Sequence, residues 1–515
     1  MQEVSAGETK VLLARIGDTC YAIGTNCTHY GAPLVEGSLV GDKIICPWHH
    51  ACFNARNGNM EEPPALDSLP NFPVSLEGDD IYIDVPENAP DRRPPEIPLI
   101  GDDADARTFV IVGGGAAGYM CAQTLREEGF SGRIVMITQE ERLPYDRPNL
   151  SKDYLHGHAE PEWMPLRPDE FYTEQRIEVI KGRKVTAVER DVRQVVFESG
   201  DPIAYDSILI ATGGIPRELS VAGSDLPGIY VLRSFDSADD IISAATGAKS
   251  AVVIGASFIG MEAASSLKQR GLDVTVVAPD KVPFERTLGH EIGGLLQRVH
   301  EENGVKFSLG SNVSRFERSD IGLNVILASG EAIAADLVIV GVGVRPATDI
   351  LNGIELHKDG GVIADEYLQI GDGVFAGGDI VHFPDTRTGE STRIEHWRTA
   401  LQQGMTAARN MIGKNEPFTG VPFFWTTQFD VTLNYVGHAA GWDEIVVNGS
   451  IAEREFLAFY VLNGKVAAVA SVGRDHELAV LHGLIRAGRL PSIAELKSAD
   501  LNTVLERCAG DLRVE

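Results

Sequence analysis

Two glycine-rich turns, Gly113-Gly114-Gly115-Ala116-Ala117-Gly118 and Gly255-Ala256-Ser257-Phe258-Ile259-Gly260, each follow a short β-branched run and each open a stretch of helical character. Thr108 to Val112 leads into the first turn and Ala251 to Ile254 into the second. In a strand-turn-helix unit of this kind the first glycine permits the tight turn, the second small residue lets the backbone approach a pyrophosphate, and the last glycine packs helix on strand. Gly113, Gly115, Ala117 and Gly118 are therefore candidates to hold one dinucleotide, and Gly255, Ser257, Ile259 and Gly260 a second. A further strand follows each turn, Arg133 to Thr138 and Asp273 to Val277, and the first ends near Glu140, 27 residues after Gly113, where a carboxylate suits adenosine ribose hydroxyls. Two such units on one chain, 142 residues apart, point to one fold for FAD and an inserted fold for a nicotinamide nucleotide.

Near the N-terminus a different chemistry is written. Cys27-Thr28-His29 and Cys46-Pro47-Trp48-His49 are separated by sixteen residues, so each of two loops offers one thiolate and one imidazole. A [2Fe-2S] cluster with Cys27 and Cys46 on one iron and His29 and His49 on the other needs that mixed supply. Tetrahedral zinc is the rival for two Cys and two His, but zinc modules usually pair Cys with Cys and His with His. His50 is the alternative register for the last ligand; the C-x-x-H spacing selects His49.

Roughly the first eighty-five residues resemble the Rieske ferredoxin family on this ligand set. Where the high-potential branch of that family has two clamping cysteines, this chain has Ala32 and Trp48, and where that branch donates hydroxyls to the cluster sulfurs it has Ala51 and Phe53. Cys52 has no partner in the pattern. Fewer donors stabilise the reduced cluster less, so the resemblance implies a ferredoxin-type potential near the low end of the Rieske range, roughly −150 mV.

A chain of 515 residues exceeds one ordinary domain. Its formal net charge of −29 argues against nucleic acid, whose phosphates require clustered Lys and Arg. Apolar runs such as Leu337 to Val340 are far shorter than a membrane span, no secretory signal opens the chain, and six cysteines with two assigned to a cluster make no disulfide framework. A cytoplasmic location is expected. Pro86, Pro90, Pro94, Pro95 and Pro98 mark residues 86–106 as a semi-extended linker; some twenty residues at about 3.1 Å each span on the order of 60 Å. That length lets the N-terminal module reach over its own chain or a partner subunit.

Further segments fall in the order of the two-dinucleotide-binding flavoproteins, which the chain closely resembles. Ile208-Leu209-Ile210-Ala211-Thr212-Gly213-Gly214 reads as a buried strand at which the chain leaves the first flavin segment, Gly341-Val342-Gly343-Val344-Arg345-Pro346 as its return, and Val374 to Asp379 as a strand delivering Asp379. The resemblance implies that Asp379 bonds the flavin ribitol, with Ala211, Thr212, Gly213 and Gly343 at the nucleotide sites. Pro144-Tyr145-Asp146-Arg147-Pro148-Asn149-Leu150-Ser151-Lys152 is similar to a stretch of oxygenase-coupled ferredoxin reductases and apoptosis-inducing-factor-like flavoproteins, notably the Rieske-bearing branch. It implies Arg147 on the flavin, Lys152 near its N5 side, and Glu262 pairing with that lysine near the nicotinamide. Trp397 and Trp425 match tryptophans that flank the isoalloxazine, ordinary core packing being the other reading of each. Disulfide reductases of the superfamily carry a cysteine pair after the flavin fingerprint; only Cys121 stands there, so thiol relay is not expected, and Cys508 is isolated.

The expected architecture is multidomain: an all-β Rieske domain (1–85), the linker, a glutathione-reductase-like α/β flavoprotein with a discontinuous FAD domain (107–225 and 336–420) and an NAD(P) domain (226–335), and an α+β C-terminal domain (421–515) whose alternating runs fit an antiparallel sheet. In related reductases that last domain forms a docking face or a homodimer contact. A nicotinamide yields electrons as a hydride pair and an iron-sulfur cluster takes them singly; a flavin converts one into the other. The expected activity is therefore NAD(P)H-dependent reduction of FAD followed by one-electron delivery through the cluster to an acceptor protein such as a Rieske-type oxygenase. The alternative is an NADH-responsive interaction protein of slow turnover. After Val277 comes Ala278 instead of the Glu common in NADH users, leaving Asp280 to hold the ribose and Lys281 as a possible 2′-phosphate partner; NADH is favoured because no Arg stands at the strand end.

Overall fold

Both glycine turns sit at the C-terminal ends of central strands in parallel sheets. In the computed structural model, which describes residues 1–101, 105–319, 322–498 and 500–512, the first sheet runs Ile177–Ile180, Arg133–Ile137, Thr108–Val112, Ser207–Ile210, Val374–Ala376, Gln369–Gly371. Every neighbouring pair is parallel except the last. Phe109 to Val112 and Ile208 to Ile210 are buried without a polar alternation, as strands covered on both faces must be. Helix Ala116–Glu127 packs on helix Trp397–Met411, and the contact is so close at Gly404 that a Cβ there would lie 2.3 Å from the Ala117 carbonyl oxygen.

A second, wholly parallel sheet orders Ile229–Tyr230, Leu337–Val340, Ser250–Ile254, Asp273–Ala278 and Lys306–Leu309. The chain enters and leaves this inserted unit through Gly214–Pro216 and Val344–Pro346, which pair antiparallel with Ile215 opposite Arg345.

The N-terminal module contains two four-stranded antiparallel sheets, one built on Gln2–Ala6, Thr9–Ile16, Thr19–Gly24 and Asn71–Phe72, the other on Ser38–Val40, Lys43–Ile45, Cys52–Asn54 and Met60–Glu62, together with the hairpin Val74–Glu77/Asp80–Ile83. Leu12, Ile23, Leu34, Ile44 and Phe53 fill the space around Cys27 and Cys46. The proline-rich segment is not a free tether along its whole length. Ser68 and Arg93 exchange two backbone hydrogen bonds of 2.9 and 2.8 Å, and the Arg93 guanidinium donates to the Asn57 carbonyl at 3.1 Å, so this part is fastened to the N-terminal module. Residues 102–104 of the expected linker lie outside the described residues. Among the described residues no helix is long and apolar enough to cross a membrane.

A five-stranded antiparallel sheet closes the molecule: Phe423–Gln428, Val431–Gly437, Lys465–Val472, Glu455–Leu462, Glu444–Ser450 in spatial order. Phe424, Tyr435, Phe456 and Tyr460 on one face join the core of the inserted unit. Phe423, Leu457, Phe459 and Val469 on the other pack with helix Asp475–Ala487, and this core also takes in Val40, Ile45 and Cys52 of the N-terminal module. At the helix contact Gly483 leaves no room for a side chain: a Cβ would meet Val40 Cγ2 at 2.7 Å. Gly483→Leu is therefore expected to destabilise the protein by about 1–3 kcal/mol through overpacking, seen as a lower urea midpoint; an unchanged midpoint would show that the two modules do not pack there.

Candidate functional site

The first glycine turn opens onto a cavity of about 390 Å³ lined by Gly113, Gly115, Ala117, Glu140, Arg147, Ala211, Thr212, Gly213, Asp379 and Trp397. The turn is built for close backbone approach. Gly113 has φ of 123°, and a Cβ on it would meet the Ala211 oxygen at 2.1 Å; one on Gly118 would meet the Gly113 oxygen at 1.9 Å. At Gly115, by contrast, nothing lies within 4 Å of where a Cβ would stand, so the missing side chain leaves open space at the N-terminus of helix Ala116–Glu127. Backbone N–H groups at a helix start suit a pyrophosphate. The donor set and the cradle fit a dinucleotide.

Around the cavity the polar residues are organised in pairs. Glu140 accepts from Arg147 at 2.7 Å and from the Tyr145 hydroxyl at 2.7 Å. Asp379 accepts from Arg233 at 3.1 Å. Arg233 also lines the cavity, as do Arg183 and Lys184; the sequence reading did not single out these three because they come from loops without a motif.

In the inserted unit Gly255 and Gly260 repeat the close-packing role, each Cβ position falling 2.2 Å from a carbonyl oxygen, of Gly341 and Gly255 respectively. Ser257 is the N-cap residue of helix Phe258–Gln269, and Ile259, 43% exposed, lines the first cavity as well. Gly343 adopts φ of 94° and its carbonyl accepts from the Arg217 N–H at 2.9 Å. Asp280 stands at the strand end with an exposed arginine, Arg286, 3.3 Å away. An arginine does therefore reach this site, from a helix and eight residues downstream of Ala278, where the strand-end pattern places one.

Between the two nucleotide units lies a buried ion pair. Glu262 is 3% exposed and accepts from Lys152 at 2.8 Å, from Ser151 at 2.5 Å and from Thr426 at 2.7 Å. These partners come from the Pro144–Lys152 segment and the C-terminal sheet, so the pair is assembled from three parts of the chain.

The N-terminal loops bring the four metal candidates together. Cys27 and Cys46 are both buried, and the Cys46 thiol together with burial pushes the Cys27 thiol up. The Nδ1 atoms of His29 and His49 lie 3.2 Å apart. Burial lowers His29 to about 3, and burial together with the charges of His29, His50 and Lys152 holds His49 well below the usual imidazole range, so both rings are neutral and keep a lone pair for a metal. Two buried thiols and two neutral imidazoles whose Nδ1 atoms adjoin make up a donor set that fits a Rieske cluster.

The two loops close alike: the Cys27 N–H donates to Ala32 at 2.8 Å and the Gly31 N–H to Cys27 at 2.9 Å, while the Cys46 N–H donates to Ala51 at 2.9 Å and the His50 N–H to Cys46 at 3.2 Å. Gly31 and His50 thus occupy equivalent left-handed corners, φ 80° and 55°. That corner turns His50 away from the ligand set, and its Nδ1 meets His482 Nδ1 at 2.7 Å in a buried contact.

Both imidazoles face the rest of the chain. The Trp425 ring lies 4.4 Å from His49 and 6.3 Å from His29, centroid to centroid. Trp397 lines the dinucleotide cavity, whereas Trp425 belongs to the cluster's surroundings. Cys52, unpartnered in the sequence pattern, is buried with its sulfur 3.6 Å from Arg486 and 3.8 Å from Arg398. All six cysteines are free, and Cys121 is buried against Met411.

The fold and its sites define a flavoprotein-type oxidoreductase with two dinucleotide units, a Rieske domain and a reductase C-terminal domain. Residues 107–404 match the pyridine nucleotide-disulphide oxidoreductase model, 423–509 the reductase C-terminal model and 1–73 the Rieske [2Fe-2S] domain model. The chain belongs to the pyridine nucleotide-disulphide oxidoreductase family. It is 38% identical over 500 residues to apoptosis-inducing factor 3 of Homo sapiens, spanning 95% of this chain and 82% of that protein. It is 34% identical over 383 residues to the chlorobenzene dioxygenase ferredoxin reductase component of Cupriavidus sp. (strain PS12), spanning 74% and 93%. Among solved structures, the covalent putidaredoxin reductase–putidaredoxin complex superposes with a TM-score of 0.74 at 31% identity, covering 80% of this chain and all of that one.

The ligand assignment predicts that His49→Ala protein retains little iron, whereas His50→Gln keeps about two irons per chain by metal analysis. Equal iron in both variants would overturn the choice of His49.

Proposed function

We propose that the protein is an NAD(P)H-dependent reductase that carries its own one-electron exit: hydride is received at FAD, and single electrons leave through the Rieske cluster to an acceptor protein. A bound flavin would accept the hydride pair and a bound cluster would take electrons one at a time, which is chemistry neither protein side chain nor nicotinamide supplies. The observation that carries this reading is placement. Both candidate ligand imidazoles, His29 and His49, stand against Trp425 of the C-terminal sheet of the same chain.

The chain's own residues then have the following roles. Gly113, Gly115, Ala117 and Gly118 present the helix start to the pyrophosphate of FAD; Arg147, Ala211, Thr212, Gly213, Asp379 and Trp397 surround the rest of the cofactor. Gly255, Ser257, Ile259 and Gly260 do the same for the nicotinamide nucleotide, with Asp280 at its ribose and Gly343 nearby. Lys152, fixed by Glu262, places a positive charge where the flavin ring and nicotinamide are expected to meet. Cys27, His29, Cys46 and His49 hold the iron. A Rieske-type oxygenase is the acceptor class in keeping with the relative that is named as a dioxygenase component.

NADH is the proposed donor, Asp280 being the carboxylate nearest the strand end; Arg286 beside it is the residue through which NADPH would be used instead. The ratio of kcat/KM values for the two nucleotides decides this, and a clear NADPH preference would overturn it.

A second reading has support from the similarity to apoptosis-inducing factor 3 over 95% of the chain: a slowly reoxidised, NADH-responsive interaction protein. The two readings separate on measurement. Anaerobic NADH is expected to bleach the flavin and then develop a reduced Rieske EPR signal, with rapid turnover on cytochrome c and no change in mass. Slow reoxidation together with NADH-dependent dimerisation would favour the second reading. Glu262→Gln is expected to slow flavin bleaching by about tenfold or more, because it loosens the group that positions Lys152, while iron content stays unchanged; a wild-type bleaching rate would remove this pair from the hydride step.

A further inference from the structure

Tyr30 follows the ligand His29 and is the residue at which the cluster loop crosses to the flavoprotein. Its ring lies flat on the His29 imidazole, with centroids 3.9 Å apart and planes within 13°, and meets the His49 ring edge-on at 5.5 Å and 89°. Its hydroxyl donates to the Asp146 carboxylate. Asp146 immediately precedes Arg147 and Pro148, which line the flavin cavity, and its segment is held in place by hydrogen bonds from the Asp146 N–H to the Met164 carbonyl at 2.8 Å and from the Asn149 N–H to the Asp146 carbonyl at 3.3 Å. One side chain therefore touches both imidazoles at one end and, at the other, the residue that precedes Arg147 and Pro148 of the cavity wall.

Burial does not account for an aromatic residue here. Tyr30 is 45% exposed, so it contributes little to any core. Its two specific contacts do: the flat stack fixes the rotation of the His29 ring, and the hydroxyl ties that ring to the Pro144–Lys152 segment. Trp425 also reaches both imidazoles but approaches them from the C-terminal sheet, so the two aromatics hold the ligand pair from different parts of the chain.

We infer that Tyr30 is a positioning residue for electron transfer between the flavin and the cluster: through Asp146 it sets the orientation of His29 relative to the flavin cavity. The inference rests on the reductase reading above. Each transfer takes one electron from the reduced flavin and gives one to the oxidised cluster; Tyr30 and Asp146 exchange no atom, and the external acceptor removes the electron.

The test uses the holoenzyme, anaerobic NADH and stopped-flow absorbance, with flavin bleaching and cluster reduction followed separately. Tyr30→Phe keeps the stack and removes the hydroxyl; it is expected to bleach at the wild-type rate but to reduce its cluster about tenfold more slowly, as loss of alignment costs rate without loss of binding. Asp146→Ala, which removes the acceptor of the Tyr30 hydroxyl, should slow cluster reduction to a similar degree, and the double variant should be no slower than either, since both single changes break the same contact. Two readouts are independent of turnover. In flavin-free protein Tyr30→Phe should raise amide hydrogen exchange at Asn149, and Tyr30→Leu, which removes the stack, should shift the EPR g values of the dithionite-reduced cluster. Wild-type cluster reduction in Tyr30→Phe, or a tenfold loss that appears equally in flavin bleaching, would overturn the inference while leaving the reductase reading intact. A wild-type protein that bleaches but never reduces its cluster would sink that reading, and this inference with it.

Discussion

Arg398 holds the second loop of the Rieske domain to the helix that borders the dinucleotide cavity. It stands in the first turn of helix Trp397–Met411 with no exposed surface, and donates to the carbonyls of His50 at 3.2 Å, Pro63 at 2.8 Å and Val421 at 3.0 Å and to the Glu62 carboxylate at 2.6 Å. A guanidinium is suited to this because its planar donors stay charged and fan out to several acceptors. Glu62 also accepts from Gln402 at 2.9 Å and pairs with Arg486, so one carboxylate is shared between two guanidiniums. Breaking such a pair by removing one member costs on the order of 3–5 kcal/mol, because the other is left buried and uncompensated. The preceding residue, Trp397, lines the dinucleotide cavity. Consecutive residues on one helix therefore touch the dinucleotide cavity and the Rieske domain.

The C-terminal sheet supplies the second constraint. Side chains alternate across a strand, and along Phe423–Gln428 this sends Phe424 and Thr426 one way and Phe423 and Trp425 the other. Thr426 meets Glu262 in the cleft between the nucleotide units, while Trp425 meets His49. A one-residue slip in register would exchange these faces and detach both sites at once. The apolar residues obey the same alternation, so the sheet packs on the inserted unit with one face and on its own helices and the Rieske domain with the other. The Rieske domain is in this sense built into the core of the flavoprotein. A further contact, Arg167 to Asp67 at 2.7 Å, ties it to the FAD-binding unit.

Much of the fold was legible because its signals are local. A β-branched run, a glycine turn and a helix lie within some twenty residues, and each of those units appears where its pattern stands. Spacing alone favours His49 over His50 as the ligand, and the left-handed corner at His50 with its contact to His482 is consistent with that preference. Glu262 was recognised as the partner of Lys152 only through family resemblance, since nothing near either residue marks a contact across 110 positions of chain. The proline-rich composition suggested a semi-extended linker, but the pairing of Arg93 with Ser68 is a long-range hydrogen-bonding choice that composition does not encode. Arg398, Arg486, His482 and Tyr30 passed unnoticed for the same reason: an isolated arginine, histidine or tyrosine has no signature until its partner is folded against it.

By itself the sequence determined which chemistries the protein is equipped for, because ligand type, ligand spacing and glycine placement are requirements of a few consecutive residues and are met or not met locally. Only the tertiary structure decided where those chemistries meet. The orientation of the two imidazoles toward their own flavoprotein, the placement of Trp425 at the cluster, and the approach of Arg286 to Asp280 all depend on contacts between segments far apart in the chain. Such contacts arise from the packing of whole faces and the pairing of buried charges, and no short stretch of residues contains that information.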